Sequence, residues 1–92
     1  MDPREYTDQI YTVTIRSTET IYEQDLPVRA VSSKNVNGPF DVLPLHADCI
    51  SIVEEYIAYF PQNGKRKQID IHKGVLRVEN GNVYVFLDTL TK

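Results

Sequence analysis

The sequence predicts an all-β fold, an antiparallel β-sandwich or flattened barrel of about eight to ten short strands. Apolar and polar residues alternate in several segments, and these segments are rich in β-branched and aromatic residues. Turn-forming residues separate them roughly every 6–12 residues. No segment has the spacing of an amphipathic helix. Residues 49–59 come nearest, but their alternation and β-branched content favour a strand.

Each predicted strand is a short alternating segment. In chain order the strands cover residues 10–16, 20–22, 28–31, 40–42, 49–53, 56–60, 69–72, 75–78 and 83–87. Polar or glycine-containing runs interrupt the alternation, and we expect strands to end at Glu23-Gln24-Asp25, Ser32-Ser33-Lys34-Asn35, Glu54-Glu55 and Gly74. Phe40 and Val42 lie two residues apart, so they are expected to share one face of their strand.

The clearest turn signal lies near the end of the chain. Asn80-Gly81 separates two alternating apolar runs, and this dipeptide is typical of a type I′ hairpin turn. In the strand that follows, Val83, Val85 and Leu87 share one face, whereas Tyr84 and Phe86 share the other. Because both faces are apolar, we expect this strand to be central in its sheet or covered.

Length and composition bound the possible functions. The 92 residues suffice for one domain, which we place at residues 10–92 after a flexible lead-in at residues 1–9. The formal net charge is −3 and the pI about 5.2, so we expect no nucleic-acid partner. No apolar run approaches the roughly 20 residues that a membrane-spanning helix needs.

Three side chains are the obvious candidates for chemistry: His46, Cys49 and His72. A zinc site needs three or four ligands at suitable spacing, and the scattered histidines and carboxylates do not provide it. We therefore predict no metal, no cofactor and no enzyme. We expect Cys49 to be a core or half-buried residue, His72 to end a strand, and Lys65-Arg66-Lys67 to be a solvated hairpin tip.

Residues 37–47 form the most irregular apolar segment of the chain. Pro39 and Pro44 divide it, since proline fixes φ and cannot donate a hydrogen bond to a strand ladder. The segment contains no catalytic motif. We interpret it as a shaped loop on a scaffold, a type of element that commonly binds a partner.

Residues 38–47 read Gly-Pro-Phe-Asp-Val-Leu-Pro-Leu-His-Ala. This segment resembles a motif in the N-terminal β-sandwich domain of the epsilon subunit of F-type ATP synthases (delta in mitochondria), which reads roughly Gly-Glu-Phe-Gly-Val-Leu-Pro-Gly-His-Ala. Residues 73–78 and 80–87 are similar to a second family segment, in which a polar turn leads into an apolar strand. Residues 17–25 resemble the strand and turn that open the family domain.

The sequence departs from the family pattern at several positions. Pro39, Asp41 and Leu45 replace a glutamate and two glycines, and Glu54-Glu55-Tyr56 replaces a Lys-Pro-Gly turn. Aspartate tolerates a positive φ better than most residues, so Asp41 is expected to be able to hold the turn of the family glycine. The chain stops at Lys92, where the family usually continues into a C-terminal helical hairpin. We expect this divergent member to lack that hairpin.

The resemblance implies a non-catalytic rotor subunit in the central stalk of a proton- or sodium-driven ATP synthase. Its expected partners are the gamma subunit and the c-ring, through which it couples rotation to ATP synthesis. It would lie at the cytoplasmic face of the membrane, peripheral and without lipid insertion. The partner-binding residues that the resemblance implies are Gly38, Phe40, Asp41, Leu43, Pro44 and His46.

Two other interpretations stay open at this point. The departures at Pro39, Leu45 and Glu54-Glu55 also fit a stand-alone β-sandwich interaction module that has diverged from the synthase. Phe40, Val42 and Leu43 may equally well close one end of the sandwich instead of contacting a partner. A small enzyme or metal protein based on His46, Cys49 and His72 is the third possibility.

Overall fold

The computed structural model describes residues 10–42 and 48–90. Every regular element within these ranges is a strand: β1 (Tyr11–Arg16), β2 (Ile21–Asn35), β3 (Gly38–Val42), β4 (Cys49–Pro61), β5 (Lys67–Glu79) and β6 (Asn82–Leu90). The all-β prediction is therefore confirmed, with six longer strands instead of eight to ten short ones. The described ranges contain no helix that is long and apolar enough to cross a membrane.

The strands close into a barrel-like sheet. Their order is β1-β6-β5-β4-β2-β3, and an additional pairing of β1 with β2 closes the ring. The pairings are antiparallel except that of β1 with β6, which is parallel. Strand β3 pairs with β2 alone among the described elements, so it forms the edge of the sheet.

Strand β2 connects the parts of the barrel. With 15 residues it is the longest element. Its first half pairs with β1 from Ile21 to Val28, and its second half pairs with β3 from Val31 to Asn35. Its other side carries β4, from Val28 to Ser33. Strands β1 and β3 therefore follow one another along the same side of β2.

A bulge explains why β2 continues through the predicted break at 23–25. Two residues of β1, from Val13 to Ile15, lie opposite three of β2, and Asp25 takes up the extra residue at φ 50°. The Thr14 hydroxyl accepts a hydrogen bond from the Asp25 N–H (3.0 Å) and donates one to its carboxylate (3.3 Å). Because aspartate tolerates a positive φ, the strand bends here without ending.

A second bulge accounts for the predicted breaks at Glu54-Glu55 and Gly74, which are also wrong. Strands β4 and β5 shift register between Glu54 and Glu55, and His72 is the residue of β5 without a partner on β4. His72 is thus exposed within β5 and does not end a strand. Glu55 has a φ of 76°, a costly value for a residue with a side chain.

The polar run 32–35 likewise belongs to a strand, because its side chains have internal partners. Ser33 is fully buried, and its hydroxyl donates to the Tyr56 carbonyl oxygen at 2.6 Å. In return, the Tyr56 hydroxyl donates to the Ser33 carbonyl oxygen at 3.2 Å. Satisfied polar groups of this kind are compatible with burial in a core, so polarity alone did not locate the end of β2.

Alternation directs one face of each strand into a single core. On β6 the inward residues are Val83, Val85 and Leu87, as the sequence predicts. The strand is also central, between β5 and β1. Its outer face is not covered, however: 49% of Phe86 is exposed. The expected cover for the second apolar face is absent from the described residues.

The β5–β6 turn depends on the conformation of Asn80 (φ 52°) and Gly81 (φ 80°), both positive as type I′ requires. A Cβ added to Gly81 would contact nothing within 4 Å, so Gly81→Ala tests backbone conformation alone. We expect it to lower the free energy of unfolding by about 1–2 kcal/mol, which corresponds to a midpoint about 4–16 °C lower in thermal unfolding.

Gly64→Ala is the matched control. Gly64 lies in the β4–β5 turn without a positive φ of the restricted kind, and an added Cβ would make ordinary contact with Pro61. We expect its midpoint to stay the same or rise slightly, since alanine narrows the unfolded ensemble. Equal losses in both variants would contradict the assigned turn geometry.

Candidate partner-binding site

The predicted binding segment begins at the turn between β2 and β3. The Asn35 side-chain oxygen accepts a hydrogen bond from the Asn37 N–H (2.8 Å), which shapes the turn locally. Gly38 follows with a φ of 114°, a value that favours glycine. Val36 is held at the tip with 92% of its surface exposed. A solvated apolar side chain on a fixed turn is available to a partner.

The next predicted site residues lie on β3. Phe40 is half-buried and packs against the core, on the same face as the buried Val42, as the sequence predicts. Asp41 points to the other face and accepts a hydrogen bond from the Ser32 hydroxyl at 2.6 Å. Asp41 is paired with Ser32 in the strand and does not have a positive φ, so it does not adopt the left-handed turn considered from the family motif.

Leu43, Pro44 and His46, with Leu45 between them, lie outside the described residues. The structure therefore brings Gly38, Phe40 and Asp41 together at the sheet edge and leaves the other three predicted site residues untested. The segment is anchored on its C-terminal side: Asp48 accepts a hydrogen bond from the Asn80 N–H at 3.1 Å, which ties it to the β5–β6 turn.

The N-terminal anchor of the same segment is the contact between Tyr11 and Val42. Strands β1 and β3 share one side of β2, opposite Val28 and Val31, and this places the two residues next to each other. The Tyr11 hydroxyl donates a hydrogen bond to the Val42 carbonyl oxygen. Burial raises the pKa of Tyr11 well above its ordinary value, so this donor keeps its proton in the folded protein at neutral pH.

The residues considered for chemistry do not assemble. Cys49 is exposed, and the expectation of a core or half-buried cysteine is wrong: it is the first residue of β4, where no neighbouring strand covers it. It pairs with Val78, and His72 lies about 20 Å further back along β5. Within residues 10–42 and 48–90 no group of three His, Cys, Asp or Glu side chains is placed to hold a metal ion.

The sequence reasoning missed a second surface, on the outside of the barrel. Cross-strand pairing aligns five outward side chains across β4, β5, β6, β1 and β2, which we call the outer row: Ile52, Val75, Phe86, Arg16 and Ile21. Its four apolar members are 58%, 40%, 49% and 52% exposed. The signal in the sequence was the apolar second face of β6, which was expected to be covered.

A parallel row lies two residues along the strands. It consists of Ile50, Arg77, Tyr84 and Thr14. Ile50 is 70% exposed. The Arg77 guanidinium lies over the Tyr84 ring, 5.0 Å from its centroid, and contacts Glu79 at 3.4 Å. The two rows together form an apolar face that carries two arginines.

Comparison with known proteins identifies the family. A family of domains described as "ATP synthase, Delta/Epsilon chain, beta-sandwich domain" matches residues 10–92. The chain belongs to this family. An ATP synthase epsilon chain of Ureaplasma urealyticum is 37% identical over 73 residues, and one of Clostridium botulinum is 30% identical over 66. These matches cover 75% and 71% of this chain, which itself spans about half the length of these relatives, 54% and 50%.

Solved structures have the same delta/epsilon fold. A chain of the Euglena gracilis mitochondrial ATP synthase, from a complex of OSCP, F1 and the c-ring, superposes with a TM-score of 0.81 at 19% identity. It aligns with 89% of this chain and 52% of its own length. A chain from the central stalk and c-ring of the Tetrahymena thermophila enzyme gives 0.74 at 12% identity, covering 91% and 67%.

The buried anchor of this delta/epsilon domain predicts a pH dependence. Because the pKa of Tyr11 is raised in the folded state, the unfolded chain releases this proton first, above its ordinary pKa of about 10. Stability is therefore unaffected by this group below about pH 10 and falls as the pH rises above it, by up to about 1.4 kcal/mol per pH unit. Urea unfolding between about pH 9 and 11 measures this decline.

Tyr11→Phe is the comparison for this measurement. It removes the titrating hydroxyl and keeps the ring in the core, so the decline in stability should be shallower than in the wild type. Tyr84→Phe is the matched control, because Tyr84 lies on the outer face. If Tyr11→Phe and the wild type lose stability in parallel, Tyr11 does not carry the effect.

Proposed function

We propose that the chain is a non-catalytic subunit of the central stalk of a proton- or sodium-driven ATP synthase. In this role the domain at residues 10–92 binds the gamma subunit and the c-ring and couples their rotation to ATP synthesis. It lies at the cytoplasmic face of the membrane, peripherally, as part of the complex. The observation that carries the proposal is the family match over residues 10–92, with relatives named as ATP synthase epsilon chains.

The geometry of the β2–β3 edge supports a binding role. Val36 projects from the turn, Gly38 shapes it, and Asp41 remains exposed on β3. Phe40 is half-buried, so it stabilises the edge from within and keeps part of its ring accessible. We propose that this turn, together with the segment containing Leu43, Pro44 and His46, contacts the c-ring.

Binding without chemistry also fits the distribution of polar groups. Ser33 and Tyr56 are satisfied by each other's backbone, and in the described part of the chain no buried side-chain nitrogen or oxygen lacks a hydrogen-bond partner. An active site usually contains buried, perturbed groups that are free to act on a substrate. The accessible features of this domain are instead a turn and an apolar face.

The test uses the gamma subunit and the purified c-ring of the synthase from the same organism. We expect the wild-type chain to bind both in a direct binding assay with immobilised chain. Val36→Asp should weaken c-ring binding at least about tenfold, because it places a charge where an apolar side chain would be buried. Gamma-subunit binding should be unchanged by this substitution.

Asn63→Asp is the matched control, since it introduces the same carboxylate into the exposed β4–β5 turn. We expect it to bind the c-ring like the wild type. If the wild-type chain binds neither partner, the proposed function is wrong and the stand-alone interaction module is favoured. If Asn63→Asp is as damaging as Val36→Asp, the effect is one of net charge and the turn is not the contact.

A further inference from the structure

The outer row has the size of a binding surface for a single structural element. Its five side chains cross four inter-strand gaps, about 19 Å in total, and the parallel row lies about 7 Å away along the strands. An α-helix with its side chains is about 10 Å wide. The face formed by the two rows therefore accommodates one helix-sized segment of a partner.

The exposure of the outer row is not needed by the barrel itself. Each apolar member has a buried neighbour one position along its strand, such as Val53, Leu76, Val85 and Ile15, and these neighbours fill the core. Polar residues at the outward positions would leave that core unchanged. Contiguous exposed apolar side chains on a soluble domain commonly mark an interaction site.

The arginines determine which kind of partner fits. Arg16 lies within the row, between Phe86 and Ile21, and within the described residues no carboxylate comes within 4.0 Å of its side chain nitrogens. Its guanidinium donates to the neighbouring Ser17 carbonyl oxygen. Burial of a charge without a partner is costly, so the occupant must supply a carboxylate.

A second copy of the chain does not meet this requirement. In a two-fold arrangement centred on Phe86, Arg16 of one copy would face Val75 of the other. The carboxylate nearest to the two rows, Glu79, already contacts Arg77. The charge pattern therefore disfavours self-association and favours a different protein with acidic side chains beside apolar ones.

We propose that the outer row is the docking surface for the gamma subunit, and that it receives an amphipathic segment in which carboxylates flank apolar side chains. This assignment rests on the proposed function, because it takes the gamma subunit as the partner. Phe86 and Val75 are the central apolar anchors, and Arg16 pairs with a carboxylate of the segment. The β2–β3 turn lies on other strands, so both partners bind at once.

The experiment measures binding of the purified gamma subunit to the full chain and three variants. Val75→Ser/Phe86→Ser removes the apolar anchors, and Arg16→Glu reverses the charge. Each should raise Kd at least about tenfold. The loss in Arg16→Glu should shrink at high salt, because salt screens the repulsion between like charges. Arg29→Glu, an exposed arginine of β2 outside the row, should stay within about twofold of wild type.

Thermal unfolding checks that the variants fold, and Ile52→Ser replaces the double variant if that one does not. Wild-type chain that fails to bind gamma overturns the proposed function, and the assignment of the outer row with it. Wild-type binding that the outer-row variants retain within about twofold overturns the assignment alone. So does a loss of c-ring binding with gamma binding intact. Binding that survives Arg16→Glu overturns the requirement for a carboxylate.

Discussion

The architecture depends on one constraint: β2 must serve three partner strands at once. It pairs with β1 along its first half, with β3 along its second half and with β4 on its other side. A straight strand of 15 residues would extend beyond a barrel of this size, at roughly 50 Å. The bulge at Asp25, held by Thr14, adds a bend and allows the chain to close. The ring, the edge strand and the Tyr11–Val42 anchor all follow from this arrangement.

The alternating pattern was sufficient to predict an all-β fold and the inward faces of β1 and β6, because period-2 patterning reports directly which side of a strand is buried. It could not predict the number of strands. Asp25, Glu55 and His72 disrupt the alternation as a turn would, yet each lies in or next to a bulge within a continuous ladder. Whether a disruption bends a strand or ends it is decided by the partner strand, and the local sequence does not identify that partner. Asn80-Gly81 was predictable because its turn conformation is local.

The candidate site was predictable to a similar, partial extent. The motif around Gly38 and Phe40 drew attention to the β2–β3 edge, and the structure assigns Asp41 an ordinary strand conformation. The outer row could not be found in this way. Ile21, Ile52, Val75 and Phe86 belong to four different strands, and they become one surface only through the order β2-β1-β6-β5-β4. The pattern showed that β6 was apolar on both faces, but not which face would remain uncovered.

The two proposed surfaces are joined by a short rigid path. The Asn35 amide, at the base of the β2–β3 turn, donates a hydrogen bond to the Ser51 hydroxyl of β4 at 3.3 Å. Ser51 lies between Ile50 and Ile52, which belong to the two outer rows. A load applied at the turn therefore reaches the outer face through paired backbone and one side-chain contact, without passing through a loop. Because β4 is hydrogen-bonded on both sides, to β2 and β5, it resists sliding. A part that transmits torque between two partners needs this stiffness more than it needs any reactive group.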